Sequence, residues 1–161
     1  MLQATLLQSV KNIAEIPDRG LAFEKFVQSR FNPAQYRLLD KRSAGLYPLT
    51  INDPQLVYQV QHHHRRFAVE CRFRERDYRN KFTWAEQFQL DQYQRFQEKT
   101  QMPLFIVIGI GGLPSKPTNV YIIPFSQVCN TTTLELSAYK AYERNNADKG
   151  FFFDGAAGGL K

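Results

Sequence analysis

Between Phe67 and Arg74 the chain reads Phe-Ala-Val-Glu-Cys-Arg-Phe-Arg. Phe67, Val69, Cys71 and Phe73 alternate with Ala68, Glu70, Arg72 and Arg74, a period of two that fits a strand and no helix. One face is apolar and packs on a core. The other presents a carboxylate and a guanidinium two residues apart, pointing the same way. Two readings stay open from the strand alone. Glu70 and Arg72 form an ion pair on a sheet face, or they are half of a metal-dependent site that cleaves phosphodiesters.

The segments around it alternate in type. Residues 2 to 14 predict a helix with Leu2, Leu6, Val10 and Ile13 on one stripe. Pro17 ends it, and Asp18 caps a second helix from about Gly20 to Phe31. Phe23, Phe26, Val27 and Phe31 form that helix's buried face. At about 100° per residue, Glu24 falls roughly 20° from Phe31. It is an acid at the edge of an apolar stripe, where its stem packs and its head stays wet. Gln35 to Ala44 and Gln55 to Val60 predict two strands, with Pro48, Asn52, Asp53 and Pro54 marking a turn region between them. His62-His63-His64 reads as a hairpin tip. Adjacent residues of a strand point to opposite faces, so these imidazoles converge poorly on one ion.

After the charged link Asp77 to Lys81, a helix is predicted from about Thr83 to Glu98, with Trp84, Phe88, Tyr93 and Phe96 on one broad face. Gln89 lies within that face, where its amide needs partners. It either ties down a strand end or reaches a site on the sheet. Leu104 to Ile108 is a continuous apolar strand of the kind covered on both sides. Gly109-Ile110-Gly111-Gly112 reads as the turn leaving it. Pro114 excludes a dinucleotide fingerprint, and no Gly-Lys-Ser/Thr ending makes it a P-loop. Val120 to Phe125 predicts a strand placed at an edge by Pro124. Thr133 to Arg144 predicts a last helix, capped by Thr131 or Thr132 and carrying Leu134, Leu136, Tyr139 and Tyr142. In the tail, Phe151 to Phe153 dock and the final glycines fray.

Composition bounds the function. The chain has 161 residues, 43% hydrophobic and 14% aromatic, which fits one globular domain. No apolar run is as long as a membrane span. The start shows no basic leader with a cleavage site, and Cys71 and Cys129 sit in apolar stretches, so a cytoplasmic protein with free thiols is expected. The net charge is +6. Much of it lies between His62 and Lys81, in Arg65, Arg66, Arg72, Arg74, Arg76, Arg79 and Lys81. The planar fork of arginine suits phosphate, and clustered positive charge is the footprint of a polyanion binder.

The succession helix, strand, strand, strand, helix, strand, with Glu24 in the first helix and Glu70-x-Arg72 on the third strand, resembles the PD-(D/E)XK nuclease superfamily. The resemblance spans about residues 18 to 126 and is closest to small bacterial members with a Phe-Ala-Val-Glu-Cys-Lys strand. Gln89-x-x-x-Tyr93 and the apolar strand ending in Gly111-Gly112 match as well. It implies an α/β fold, a central mixed sheet with a restriction-endonuclease-like, Holliday-junction-resolvase-like αβββαβ core, flanked by an extra N-terminal helix and a C-terminal strand and helix. It also implies DNA as partner, room for a homodimer, and phosphodiester hydrolysis with Mg²⁺ or Mn²⁺. By that resemblance Glu70, Arg72 and Gln89 are catalytic, and Glu24, Asp53, Gln55 and Glu70 face the metal. Arg65, Arg66, Arg74, Arg76, Arg79 and Lys81 contact nucleic acid.

Two departures stand out. The family's lysine is Arg72, which differs in bulk, fork geometry and permanent charge. Its Pro-Asp aligns with Pro54-Gln55, and a neutral amide is a poorer Mg²⁺ ligand than a carboxylate. Asp53 lies two residues earlier, about 6.6 Å along a strand. A Mg–O bond is about 2.0–2.1 Å, so Asp53 replaces the missing acid only through a bulge or a register change. A binder of the same fold that does not cut, and a basic α/β domain that meets an acidic protein, are the alternatives.

Overall fold

The structure, a computed structural model, describes residues 18–40, 54–76, 81–144 and 149–161. The expected helix over 2–14, the strand residues 41–44, Asp53 and Arg79 lie outside them. Helix α1 (Arg19–Ser29) begins where Asp18 accepts a hydrogen bond from the Leu21 N–H at 3.1 Å, the N-cap expected of that aspartate. Strands β1 (Tyr36–Leu38), β2 (Leu56–Val60) and β3 (Arg66–Arg74) follow. A short β4 (Lys81–Thr83) leads to helix α2 (Gln87–Thr100). Then come β5 (Leu104–Leu113), β6 (Lys116–Pro124), β7 (Thr133–Glu135), β8 (Glu143–Arg144), β9 (Phe153–Asp154) and β10 (Gly159–Leu160).

Six strands make one mixed sheet in the order β1-β2-β3-β5-β6-β8. Only β3 and β5 run parallel in it, joined through α2. The sheet separates two apolar layers. Phe23, Val27 and Phe31 pack with Phe67, Val69, Cys71 and Phe73 of β3 on one side. Leu90, Tyr93 and Phe96 of α2 pack with Ala68, Ile106 and Ile108 on the other. The period-two reading of β3 is therefore correct, and its polar face turns toward α2. An α/β fold with a central mixed sheet and the expected core order is what the chain adopts.

Four expectations need correction. Helix α2 starts at Gln87, not Thr83, because the Glu86 N–H donates to the Gln89 side chain at 2.9 Å and closes a capping box there,. Trp84 lies before the helix, and Phe88 is half exposed instead of core. Residues 133–144 are not an α-helix. Thr133–Glu135 pairs with Lys81–Thr83 as β7 against β4, and Leu136–Tyr142 forms 3-10 turns broken by the non-helical backbone of Tyr139. A run of three β-branched threonines favours such pairing. Gly109 to Gly112 stays in the hairpin, whose pairing continues to Leu113↔Lys116. Gly111 and Gly112 hold φ of +73° and +69°, which glycine alone adopts without strain. The last glycines do not fray: Gly159 pairs with Asp154, and Leu160 with Phe153. Phe151 and Phe153 dock as expected, while Phe152 is exposed.

Pro124 does sit near the edge, since β8 covers β6 only at Val120 and Tyr121. Where the Phe23 ring of α1 meets the sheet, β5 carries Gly109. A Cβ on Gly109 would stand 2.5 Å from the Phe23 ring. Gly109→Ala is expected to cost about 1–3 kcal/mol through overpacking, measured by urea denaturation. In a Phe23→Leu background the same substitution is expected to cost less, a coupling read from the double-mutant cycle.

Candidate functional site

Register brings the site together. Leu56 of β2 pairs with Val69 of β3, so Gln55, one step outward, stands opposite Glu70. The Gln55 N–H donates to Glu70 Oε2 at 3.2 Å. Its side-chain Oε1 accepts from the Cys71 N–H at 2.9 Å and so prolongs the ladder by one rung. Two residues on, Arg72 Nη1 forms an ion pair with Glu70 Oε1. Arg72 Nη1 also donates to the Cys71 carbonyl at 3.1 Å, Nε to the Trp84 carbonyl at 2.8 Å, and Nη2 to the Tyr93 hydroxyl at 2.9 Å. Tyr93 in turn hydrogen-bonds Glu70.

Each partner is fixed from its own element. Trp84 is 1% exposed. Its indole N–H donates to the Thr131 carbonyl at 2.8 Å, and its ring stacks on Tyr93 at 5.9 Å. Tyr93 lies one helical turn beyond Gln89, as the Gln-x-x-x-Tyr spacing requires. Four of the five N–H groups of Arg72 thus go to the protein,.

The electrostatics follow. Burial and the neighbouring Glu70 carboxylate push the Tyr93 hydroxyl well above its usual range. Burial, then Glu70, then Glu24 push the Cys71 thiol up. Glu70 and the Tyr93 oxygen hold Arg72 charged against the opposing effect of burial. Both acids therefore act on Cys71, yet they belong to different faces of β3. Glu24 sits on α1 beside Phe23 and Val27, bonded to Gln28 at 3.3 Å. Glu70 alternates onto the α2 side with Arg72.

A cavity of about 530 Å³ opens above this network, lined by Gln55, Arg72, Arg74, Arg19, Glu86 and Gln89, among others. Arg74 reaches its rim with its guanidinium 5.5 Å from the Phe82 ring centre. Burial and then the nearby Arg72 lower its pKa. Arg19 pairs with Glu75. Gln89 lines the cavity, but its side-chain oxygen is the one that caps α2.

The expected basic patch is divided. Arg74, Arg76 and Lys81 are exposed near this cavity's end of β3. Arg65 is exposed and Arg66 half-buried at the other end. His62 to His64 form the exposed turn between β2 and β3. Trp84, Tyr93 and Arg19 were not anticipated as site residues. The Gln-x-x-x-Tyr spacing signals Tyr93, whereas a backbone carbonyl such as that of Trp84 has no sequence signature.

A divalent metal fits these residues poorly. Both Glu70 oxygens already accept from donors of the chain itself. Among the described residues no three His, Cys, Asp or Glu side chains converge on one point. The residue opposite Glu70 is a neutral amide.

No family model and no curated protein matches the chain. Among solved structures it is similar to Hjc, a Holliday junction resolvase of the archaeal hyperthermophile Archaeoglobus fulgidus. The TM-score is 0.57 at 13% identity, over 85% of this chain and 100% of that one. The chain thus shares its fold with that resolvase.

Two outcomes follow from the buried network. Arg72→Met leaves Glu70 buried without its cation and is expected to cost about 3–5 kcal/mol. Adding Glu70→Gln to Arg72→Met is expected to recover more than half of that in urea denaturation. With Cys71 buried and its thiolate disfavoured, the native chain is expected to react with a thiol reagent at Cys129 alone at pH 8. Cys71 reacts only after unfolding, a difference read by peptide mapping.

Proposed function

We propose that this protein binds DNA on the nuclease-like fold without hydrolysing it through Glu70. The observation that carries the reading is the occupancy of that carboxylate. Arg72, Tyr93 and the Gln55 N–H take the positions around Glu70 from which a hydrolytic site would work. The guanidinium supplies inside the protein the positive charge that a metal would bring. Neither Mg²⁺ nor Mn²⁺ is required in this reading, and one copy of the chain suffices.

Binding itself is supported by the net charge of +6, by Arg74 at the cavity rim and by the exposed Arg76 and Lys81. These side chains contact phosphates, which position a DNA strand but do not read its sequence. Arg72, with one N–H left toward the cavity, stabilises the floor and contributes little to affinity.

With about three phosphate contacts, affinity is expected to fall roughly fortyfold between 50 and 200 mM salt. Arg74→Ala is expected to reduce the slope of log K against log salt by about one. The companion assay is nicking of supercoiled plasmid with Mg²⁺ or Mn²⁺. The wild type is expected to leave the plasmid intact. Metal-dependent nicking that disappears in Glu70→Gln would overturn the non-hydrolytic reading, and salt-insensitive or absent DNA binding would overturn the rest.

A further inference from the structure

The arginines that the sequence places in one cluster lie at two ends of one strand. Arg66 opens β3 and Arg74 closes it. Eight residue steps at about 3.3 Å put some 26 Å of buried strand between them. Arg65 and Arg66 therefore serve a place of their own.

That place is a second cavity of about 530 Å³. Its cationic wall is Arg65 and Arg66, with His64 beside them. Its apolar floor includes Met102, Pro103 and Phe153, the first and last of these buried. Concave sites of a few hundred Å³ with an apolar floor and a few placed polar groups are what small ligands occupy. Arg65 is exposed, and its side chain lies over Gly155, where an added Cβ would clash with Nη1. The Ala157 and Ala156 N–H groups hold the Asp154 carboxyl below its usual range, and the charge of Arg65 acts in the same direction. Asp154 spends Oδ1 on the Ala156 and Ala157 N–H groups at 3.0 and 3.1 Å. Arg66 is steadied by Gln59 at 3.2 Å. Lys161 adds positive charge near Asp154. The carbonyl end of α2 opposes an anion here. Its last turn is partly satisfied, since the Gln97 carbonyl accepts from the Gln101 N–H at 2.8 Å and the Phe96 carbonyl from the Thr100 hydroxyl at 2.7 Å.

We propose that this cavity is a second nucleic-acid site, which takes one nucleotide of a single strand with its phosphate at Arg65 and Arg66 and its base against Met102, Pro103 and Phe153. The ligand class rests on the DNA-binding reading above. The site is distinct from the rim at Arg74 and Arg76. A protein with both ends occupied holds two strand segments at once.

The test is a titration with oligothymidylate of about four nucleotides, at the short end of single-strand site sizes, followed by calorimetry and fluorescence anisotropy. Two strands per chain are expected for the wild type, and one for Arg65→Glu. One is also expected for the double variant Arg74→Glu with Arg76→Glu. Gly155→Ala keeps every charge but displaces Arg65. It is expected to weaken the second site about threefold to tenfold, in line with a displaced charge-assisted contact. A basic surface with no built site would not respond to it. Circular dichroism melting confirms that each variant is folded. One strand per chain in the wild type, with no response to Arg65→Glu or Gly155→Ala, would overturn the proposal. Binding lost only in Arg65→Glu would sustain this site and overturn the one at the rim. Absence of any strand binding overturns both.

Discussion

A carboxylate taken out of water loses several kcal/mol of solvation unless donors replace the lost hydrogen bonds. Glu70 is 3% exposed, and its donors come from three parts of the chain. The Gln55 N–H extends β2. Arg72 belongs to the same strand two residues on. Tyr93 arrives from α2. The fork of Arg72 then reaches the Trp84 carbonyl, in the segment that leads into α2. One guanidinium therefore ties the central strand to the start of the helix that crosses the sheet. That crossing sets the parallel pairing of β3 with β5, and the parallel pair sets the order of all six strands.

The rest of the architecture answers to the same pair of strands. With the polar face of β3 given over to the network, the opposite face is left wholly apolar, and α1 packs there. The fit is close enough that β5 carries glycine where the Phe23 ring lands. On the α2 side, Trp84 and Tyr93 stack, and Phe125 meets both edge-on. Burial of the ion pair strengthens it and raises the cost of breaking it,.

How far this could be read from sequence depends on the range of the signal. The alternation of β3 and the cap at Asp18 are local patterns with a physical cause inside the segment, and both are found. The start of α2 depends on Glu86 and Gln89. Glutamate is an uncommon N-cap, so Trp84 looked helical by its spacing alone. Residues 133–144 carry leucines and tyrosines at helical intervals, but Thr133 pairs with Thr83, fifty positions away, and no local window contains that pairing. The arginine cluster misled in another way. Proximity along the chain is not proximity in space here, because a strand carries its ends apart. Of the site, Glu70, Arg72 and Gln55 were visible, and register alone shows that Gln55 faces Glu70. The Trp84 carbonyl was invisible because every residue has one.

The identity of residue 72 links fold and chemistry. An ammonium at this position has three donors around one nitrogen, set on a flexible stem. It could satisfy Glu70 but could not also reach the Trp84 carbonyl and the Tyr93 hydroxyl, which lie on separate edges of the guanidinium plane. Arginine spans all of them and in doing so fixes its own plane. The bonds that make the network stable are thus the bonds that withdraw Glu70 from a ligand. A glutamine opposite Glu70 is consistent with that outcome. With a cation already in place, a second carboxylate would add charge that only another cation could offset, whereas the amide completes the ladder to Cys71 and leaves the pair neutral. In the proposed DNA-binding reading, phosphate contact falls to the arginines that the network does not consume, at the two ends of β3.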